Sequence, residues 1–253
     1  MDNNTVLDQL VRMSLNLGKP ENEYAILGEG NTSARVDEET FYVKQSGSYL
    51  CTAACESFVH VRFAPVLAMI EESGLSDDEI KGRLMSARAD SSSPSMPSIE
   101  TVFHAYLLTL PGVSFVGHTH PIAVNSLLCS HKAKEAFSGR VFPDEIVFCG
   151  IEPVYMEYVD PGPALARAIR EHIQEFMDKQ GVTPKVVYMQ NHGVIALGAN
   201  PQEVEAITAM AVKTCRVLAG TYIFGGPRFL TKENVDRIYT RPDEEYRKRQ
   251  FRQ

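Results

Sequence analysis

The sequence has no surplus of positive charge, no long apolar run and no paired cysteine pattern, and each absence removes a class of function. Its 253 residues carry 25 Lys and Arg against 32 Asp and Glu, a formal net charge of -7. Binding a phosphate polyanion needs a basic patch, so DNA and RNA are not expected partners. An anionic small molecule can still bind at a local site. Residues Met1 to Leu10 include Asp2 and Asp8, with no basic start and no apolar core, and no later stretch reaches the roughly 18 apolar residues of a membrane span. The expectation is a cytoplasmic protein without a membrane partner. The five cysteines, Cys51, Cys55, Cys129, Cys149 and Cys215, are an odd number at irregular spacing, and the chain is large enough to fold without staples, so reduced thiols are the default. Cys51 and Cys55 lack the second pair that a structural zinc site uses. There is no Gly-x-Ser-x-Gly elbow and no P-loop, which leaves hydrolase and kinase readings without their usual handles. Gly28-x-Gly30 begins a dinucleotide fingerprint, but Ser33 stands where a third glycine belongs.

What is present is 44% hydrophobic residues, enough for a sizeable core in one domain, residues 1–225, followed by a helical extension over 226–253. Leu7, Leu10, Val11, Leu15 and Leu17 predict an opening amphipathic helix before Gly18 and Pro20. Ala34 to Val36 and Thr40 to Val43 read as a hairpin around the acidic stretch Asp37 to Glu39. Helices are expected over Ala64 to Ser73 and Asp77 to Met85, then a Ser- and Pro-rich loop from Ser86 to Ser98. Ser98 is placed to cap a helix running to about Leu110, which puts Glu100 and His104 one turn apart on one face. Strands are read at Ser114 to Gly117, Glu145 to Phe148 and Pro153 to Tyr155, and on either side of Asn191-His192-Gly193. Helices are read from Ile122, over Pro163 to Lys179 and over Pro201 to Phe224. Interleaved strands and helices make the class α/β.

His118 and His120 carry the strongest metal signal, because in an extended segment residues i and i+2 point to the same side and two imidazoles can reach one ion. His192, between the apolar runs Val186 to Met189 and Val194 to Leu197, sits where a polar side chain can emerge from a sheet. Three neutral imidazoles suit zinc and leave one position for water, substrate or a carboxylate. Gly30, Asn31, Ser46, Gly47 and Ser98 add backbone donors, an amide and hydroxyls in turn-like contexts, the groups that build a small nest for an oxyanion. Glu100 reads either as a proton-transfer group, which asks for a raised pKa, or as a first-turn acid that suits the helix dipole.

Gly30-Asn31-Thr32-Ser33, Lys44-Gln45-Ser46-Gly47, Pro97-Ser98-Ile99-Glu100-Thr101 with His104, His118-Thr119-His120-Pro121 and Asn191-His192-Gly193 occur in an order that resembles the class II aldolase/adducin family over residues 5–225. Pro97 to Thr101, Phe142 to Glu145 and Tyr158 to Gly162 look most like its fuculose- and rhamnulose-phosphate aldolase-like branch. The resemblance implies an α/β/α sandwich on a largely antiparallel central sheet and a cyclic homotetramer with sites at subunit boundaries. It implies Zn2+ or another divalent cation on His118, His120 and His192, with Glu100 as the catalytic carboxylate. Gly30, Asn31, Ser46, Gly47 and Ser98 match positions that hold the phosphate of a sugar-phosphate donor half. The implied reaction cleaves a ketose, or a ketose 1-phosphate, into a dihydroxyacetone unit and a small aldehyde through a metal-held enediolate. A decarboxylase of a 3-oxo sugar acid, a sugar-phosphate 4-epimerase and a non-catalytic adducin-like module share the motifs.

Two departures bear on chemistry. Ile99 stands where phosphate-using members often have a second serine, and residues His131 to Pro143 contain no tyrosine for the catalytic position often found there. Tyr239 or Tyr246 from a neighbouring subunit is then the candidate to protonate the leaving aldehyde. His104 is expected as a supporting or packing residue behind Glu100. The basic tail, Lys232, Arg237, Arg241, Arg247, Lys248, Arg249 and Arg252, either stays solvated or crosses to the next subunit.

Overall fold

The computed structural model describes residues 3–243. In chain order the elements are α1 (Asn3–Leu17), β1 (Asn31–Arg35), β2 (Thr40–Lys44), β3 (Phe58–Arg62), α2 (Phe63–Glu71), α3 (Asp77–Ser86), α4 (Thr101–Leu107), β4 (Phe115–Thr119) and α5 (Ile122–Leu128). There follow α6 (Ala133–Ala136), α7 (Pro143–Cys149), β5 (Val154–Met156), α8 (Pro163–Gln180), β6 (Val186–Met189), β7 (Gly193–Gly198), α9 (Pro201–Thr221) and α10 (Lys232–Tyr239). Among the described residues the strands form one seven-stranded sheet in the order β3-β2-β1-β4-β7-β6-β5. Every pairing is antiparallel except β5 with β6.

Strand alternation sends successive side chains to opposite faces, and each face has its own core. Val43, Val61, Val116, Val187 and Leu197 meet α2, α3, α4 and α8 on one side. Ala34, Phe115, Tyr188, Val194 and Ala196 meet α1, α5 and α9 on the other. The result is the α/β/α sandwich on a largely antiparallel sheet that the motifs imply. In the stretch Pro201–Phe224, which by length and composition could cross a bilayer, Val204, Ile207, Ala211, Cys215 and Leu218 are buried against the second face. That stripe marks α9 as a core helix.

Three local expectations change. Glu145 to Phe148 is helical, within α7, despite its β-branched run. Pro143 opens that helix, and the Glu145 carboxylate accepts a hydrogen bond from Val141 N at 2.8 Å while pairing with Arg140 at 2.8 Å. The helix expected from Ser98 begins at Thr101 with Glu100 in the cap position and ends at Leu107. Residues 58–62, not read as a strand from the sequence, form the edge strand β3. The five cysteines are all free. Tyr239 lies on α10, which packs against α7, whereas Tyr246, Arg247, Lys248, Arg249 and Arg252 lie outside the described residues.

Candidate metal centre

The site grows out of the middle of the sheet. Asn31 on β1 pairs with His118 on β4, and His118 pairs in turn with Ile195 on β7. Gly30, at φ +67, lets the chain enter β1 close against β4; a Cβ there would stand 2.7 Å from the His118 carbonyl oxygen. His118 points to the same face as Val116, toward α4. His120 follows just beyond the strand, and its backbone N donates to Tyr24 O at 2.9 Å. His192 occupies the β6–β7 turn, after Asn191 at φ +53, with its carbonyl held by Asn125 Nδ2 at 3.0 Å.

One ligand atom from each of His118, His120 and His192 lies within 4.8 Å of the others, a grouping able to hold a metal ion. The Nε2 atoms of His118 and His120 are 2.9 Å apart. His118 Nδ1 is 3.1 Å from Val194 O. Since a carbonyl only accepts, Nδ1 carries the proton and the Nε2 lone pair faces the cluster, as ligation requires. Burial holds the pKa of His118 well below its ordinary value, and also lowers that of His120, so both are neutral donors. The donor set fits a divalent cation of the zinc type. Gly193 makes room for this packing: a Cβ there would lie 2.7 Å from His120 Cδ2 and 3.2 Å from His118 Cε1.

Glu100 closes the fourth side. Oε1 is 3.0 Å from His192 Nε2 and Oε2 is 3.5 Å from His118 Nε2. Asn31 Nδ2 donates to Oε2 at 2.6 Å and reaches Ser98 Oγ at 3.4 Å. Burial by itself raises the Glu100 pKa, but the hydrogen bonds that its carboxylate accepts from the His192 ring and the Asn31 amide hold it well below the usual range. The raised pKa asked for from the sequence is therefore reversed, because Asn31 and His192 both donate to the group. Glu100 rests as a carboxylate.

Behind Glu100 runs a relay of fixed polarity. Burial brings the pKa of His104 down to about 3, so the ring is neutral. Ser33 Oγ lies 2.7 Å from its Nδ1, and its Nε2 meets Asn31 Oδ1. Asn31 Oδ1 can only accept, so Nε2 carries the hydrogen and Ser33 donates to Nδ1. The relay turns the Asn31 amide toward Glu100, and it gives Ser33 a purpose that the sequence did not reveal. Lys44 also went unassigned. It is 2% exposed, donates to Gly28 O at 3.3 Å and to Ser48 O, and burial brings its pKa down to about 8 against the opposing pull of Glu100.

The structure thus gathers His118, His120, His192, Glu100, Asn31 and Ser98. Ser46 and Gly47 sit on an exposed turn strapped to the segment before Ser98, with Ser46 N donating to Met96 O at 2.9 Å and Gln45 bridged to Pro97. The Ser46 backbone donor is therefore already engaged, which leaves its hydroxyl. Ile99 is 37% exposed and points toward Gly162, where an added Cβ would stand 3.7 Å from Ile99 Cδ1. Gly28-x-Gly30 leads into strand β1 instead of a helix, which removes the dinucleotide fingerprint.

Comparison with known proteins agrees with this architecture. Over 215 residues the chain is 28% identical to the uncharacterized oxidoreductase YuxG of Bacillus subtilis, covering 80% of this chain and 29% of that protein. The chain thus spans less than a third of the length of that curated relative. The N-terminal class II aldolase domain of a conserved Thermoplasma acidophilum protein superposes with a TM-score of 0.67 at 25% identity, covering 87% of this chain and 95% of that one. L-fuculose 1-phosphate aldolase from Glaciozyma antarctica PI12 shares the fold at a TM-score of 0.67 and 12% identity, over 99% and 88% of the two chains. Residues 8–219 match the Class II Aldolase and Adducin N-terminal domain, and the chain belongs to that family.

Proposed function

We propose that this chain is a metal-dependent aldolase that cleaves a ketose, in the first instance a ketose 1-phosphate, into a dihydroxyacetone phosphate unit and a small aldehyde. The observation that carries this reading is the convergence of three imidazoles, His118, His120 and His192, and the Glu100 carboxylate on a single point. His118, His120 and His192 would hold Zn2+ or a similar divalent cation, which when bound supplies a Lewis acid for negative charge developing on oxygen. Glu100, aimed by Asn31, accepts the proton of the substrate hydroxyl as the carbon–carbon bond breaks, and the aldehyde departs with the new carbonyl. The electron pair of the broken bond stays with the ketone half until a proton arrives. Ser98 and the Ser46-Gly47 turn, with the Lys44 charge behind them, favour an anionic group on that half. The oxidoreductase name of the Bacillus relative belongs, in this reading, to the part of that protein outside the match. The reading extends to a homotetramer, for which Ile223 and Phe224, 82% and 89% exposed, offer apolar surface.

The test is elemental analysis of wild type and His118→Ala, followed by a retro-aldol assay on ketose 1-phosphates and their unphosphorylated forms. Near-stoichiometric zinc that the variant loses, with aldehyde released by wild type, supports the aldolase. Zinc without aldehyde moves the assignment to the decarboxylase or epimerase. Absence of bound metal sinks the enzyme reading and favours an interaction module.

A further inference from the structure

The three imidazoles differ in what faces their outer nitrogens. His118 Nδ1 has the Val194 carbonyl, and His192 Nδ1 is buried with no protein partner among the described residues. His120 Nδ1 faces a carboxylate, Glu29 Oε2, at 3.4 Å. The other oxygen of Glu29 accepts a hydrogen bond from Ile26 N at 2.6 Å, which fixes the carboxylate on its own loop. That loop is fastened to the ligand segment at two further points, His120 N to Tyr24 O at 2.9 Å and Ile122 N to Glu23 O at 3.2 Å. Glu29 therefore stands at a set distance from the ring.

We propose that Glu29 is a positioning residue of the metal centre: it accepts the Nδ1 proton of His120, fixes the tautomer that turns the Nε2 lone pair inward, and adds the negative charge that favours a dication. The proposal rests on the metal-centre reading above. Glu29 is not itself a ligand, because it meets His120 at Nδ1, whereas Nε2 is the atom beside His118. His120 is also the most exposed of the three rings, 20% against 0% and 10%. It is the ligand with most freedom to turn away, and the one that gains most from an anchor. Carboxylates behind a ligating histidine change metal affinity by about 10–100-fold.

The experiment strips the purified protein with chelator and titrates it with Zn2+ against a chromophoric chelator of known affinity, for wild type, Glu29→Gln, Glu29→Ala and His118→Ala. Expected is Zn2+ binding about 10–100-fold weaker in Glu29→Ala, with Glu29→Gln between, since an amide oxygen accepts but carries no charge. The metal-free forms should melt within roughly 2 °C of wild type, because the Glu29 side chain is 33% exposed. Glu29→Ala binding Zn2+ within about twofold of wild type, while His118→Ala has lost it, overturns the role of Glu29 and leaves the metal centre standing. Wild type that binds no Zn2+ overturns both. If Glu29→Ala melts far lower when metal-free, Glu29→Gln decides, and wild-type affinity in that variant overturns the proposal.

Discussion

Replacing Asn31 by Leu should damage two things at once, and a double-mutant cycle with His104 separates them. Asn31 accepts from His104 Nε2 and donates to Glu100; His104 is fully buried and Asn31 is 4% exposed. Asn31→Leu leaves the His104 N–H without an acceptor, which costs about 1–3 kcal/mol, and removes a charge-assisted bond to Glu100 of roughly 1.5–3 kcal/mol. His104→Leu strands the Asn31 carbonyl and the Ser33 hydroxyl, again at about 1–3 kcal/mol. Removing both ends of one hydrogen bond is cheaper than removing either, so Asn31→Leu with His104→Leu should fall short of the sum by about 1–3 kcal/mol. Urea unfolding of chelator-treated protein reads these values directly. Thermal melts provide a check, at roughly 2–4 °C per kcal/mol for a chain of this length. Turnover should fall in Asn31→Leu and stay low in the double variant, since neither restores the donor to Glu100. Additivity within about 0.5 kcal/mol would refute the relay.

Three further outcomes are expected. Arg140 and Glu145 are 1% and 3% exposed and paired at 2.8 Å, so Glu145→Gln should cost about 3–5 kcal/mol in urea unfolding. Gly193→Ala places a Cβ 2.6 Å from Thr119 O and 2.7 Å from His120 Cδ2; zinc content should fall and unfolding should come about 1–3 kcal/mol earlier. Lys44 has a folded pKa of about 8, below its ordinary 10.5. The unfolded chain thus binds more protons between those values, and stability attributable to Lys44 rises with pH across that window. Wild type minus Lys44→Met, measured by urea unfolding at pH 7 and pH 10, should shift toward wild type at the higher pH; no change sinks the assignment.

Much of the fold was legible because strand and helix periods are written in apolar positions. The helices at α1, α8 and α9 and the strands flanking His192 follow from spacing and from Gly and Pro punctuation. Residues 145–148 were not legible as helix, since Glu-Ile-Val-Phe has strand propensity and the deciding contacts, Arg140 and Val141 N on the Glu145 carboxylate, come from the segment just before the helix and leave no mark on propensity. Strand β3 was missed because its Phe-Val-His-Val run is short, has no Gly or Pro marking its start, and is confirmed only by pairing with β2.

The site divides along the same line. His118, His120, His192 and Glu100 could be named because histidine is scarce, seven in the chain, and all four residues stand in motifs at informative spacings. Their supports are separated from them by long stretches of chain, and local pattern does not connect Ser33 to His104 or Glu29 to His120. One signal was nonetheless available. Asn31 and Ser33 occupy alternate positions of β1, so they share a face, while Thr32 turns to the other side and meets Ser14 at 2.6 Å. Two polar residues on the buried face of a central strand must find polar partners. His104, between the apolar Phe103 and Ala105, carries the same demand on a buried helix. Matching unsatisfied polar groups across the expected core would have joined them, and through Asn31 the match reaches Glu100 and the His118, His120 and His192 cluster.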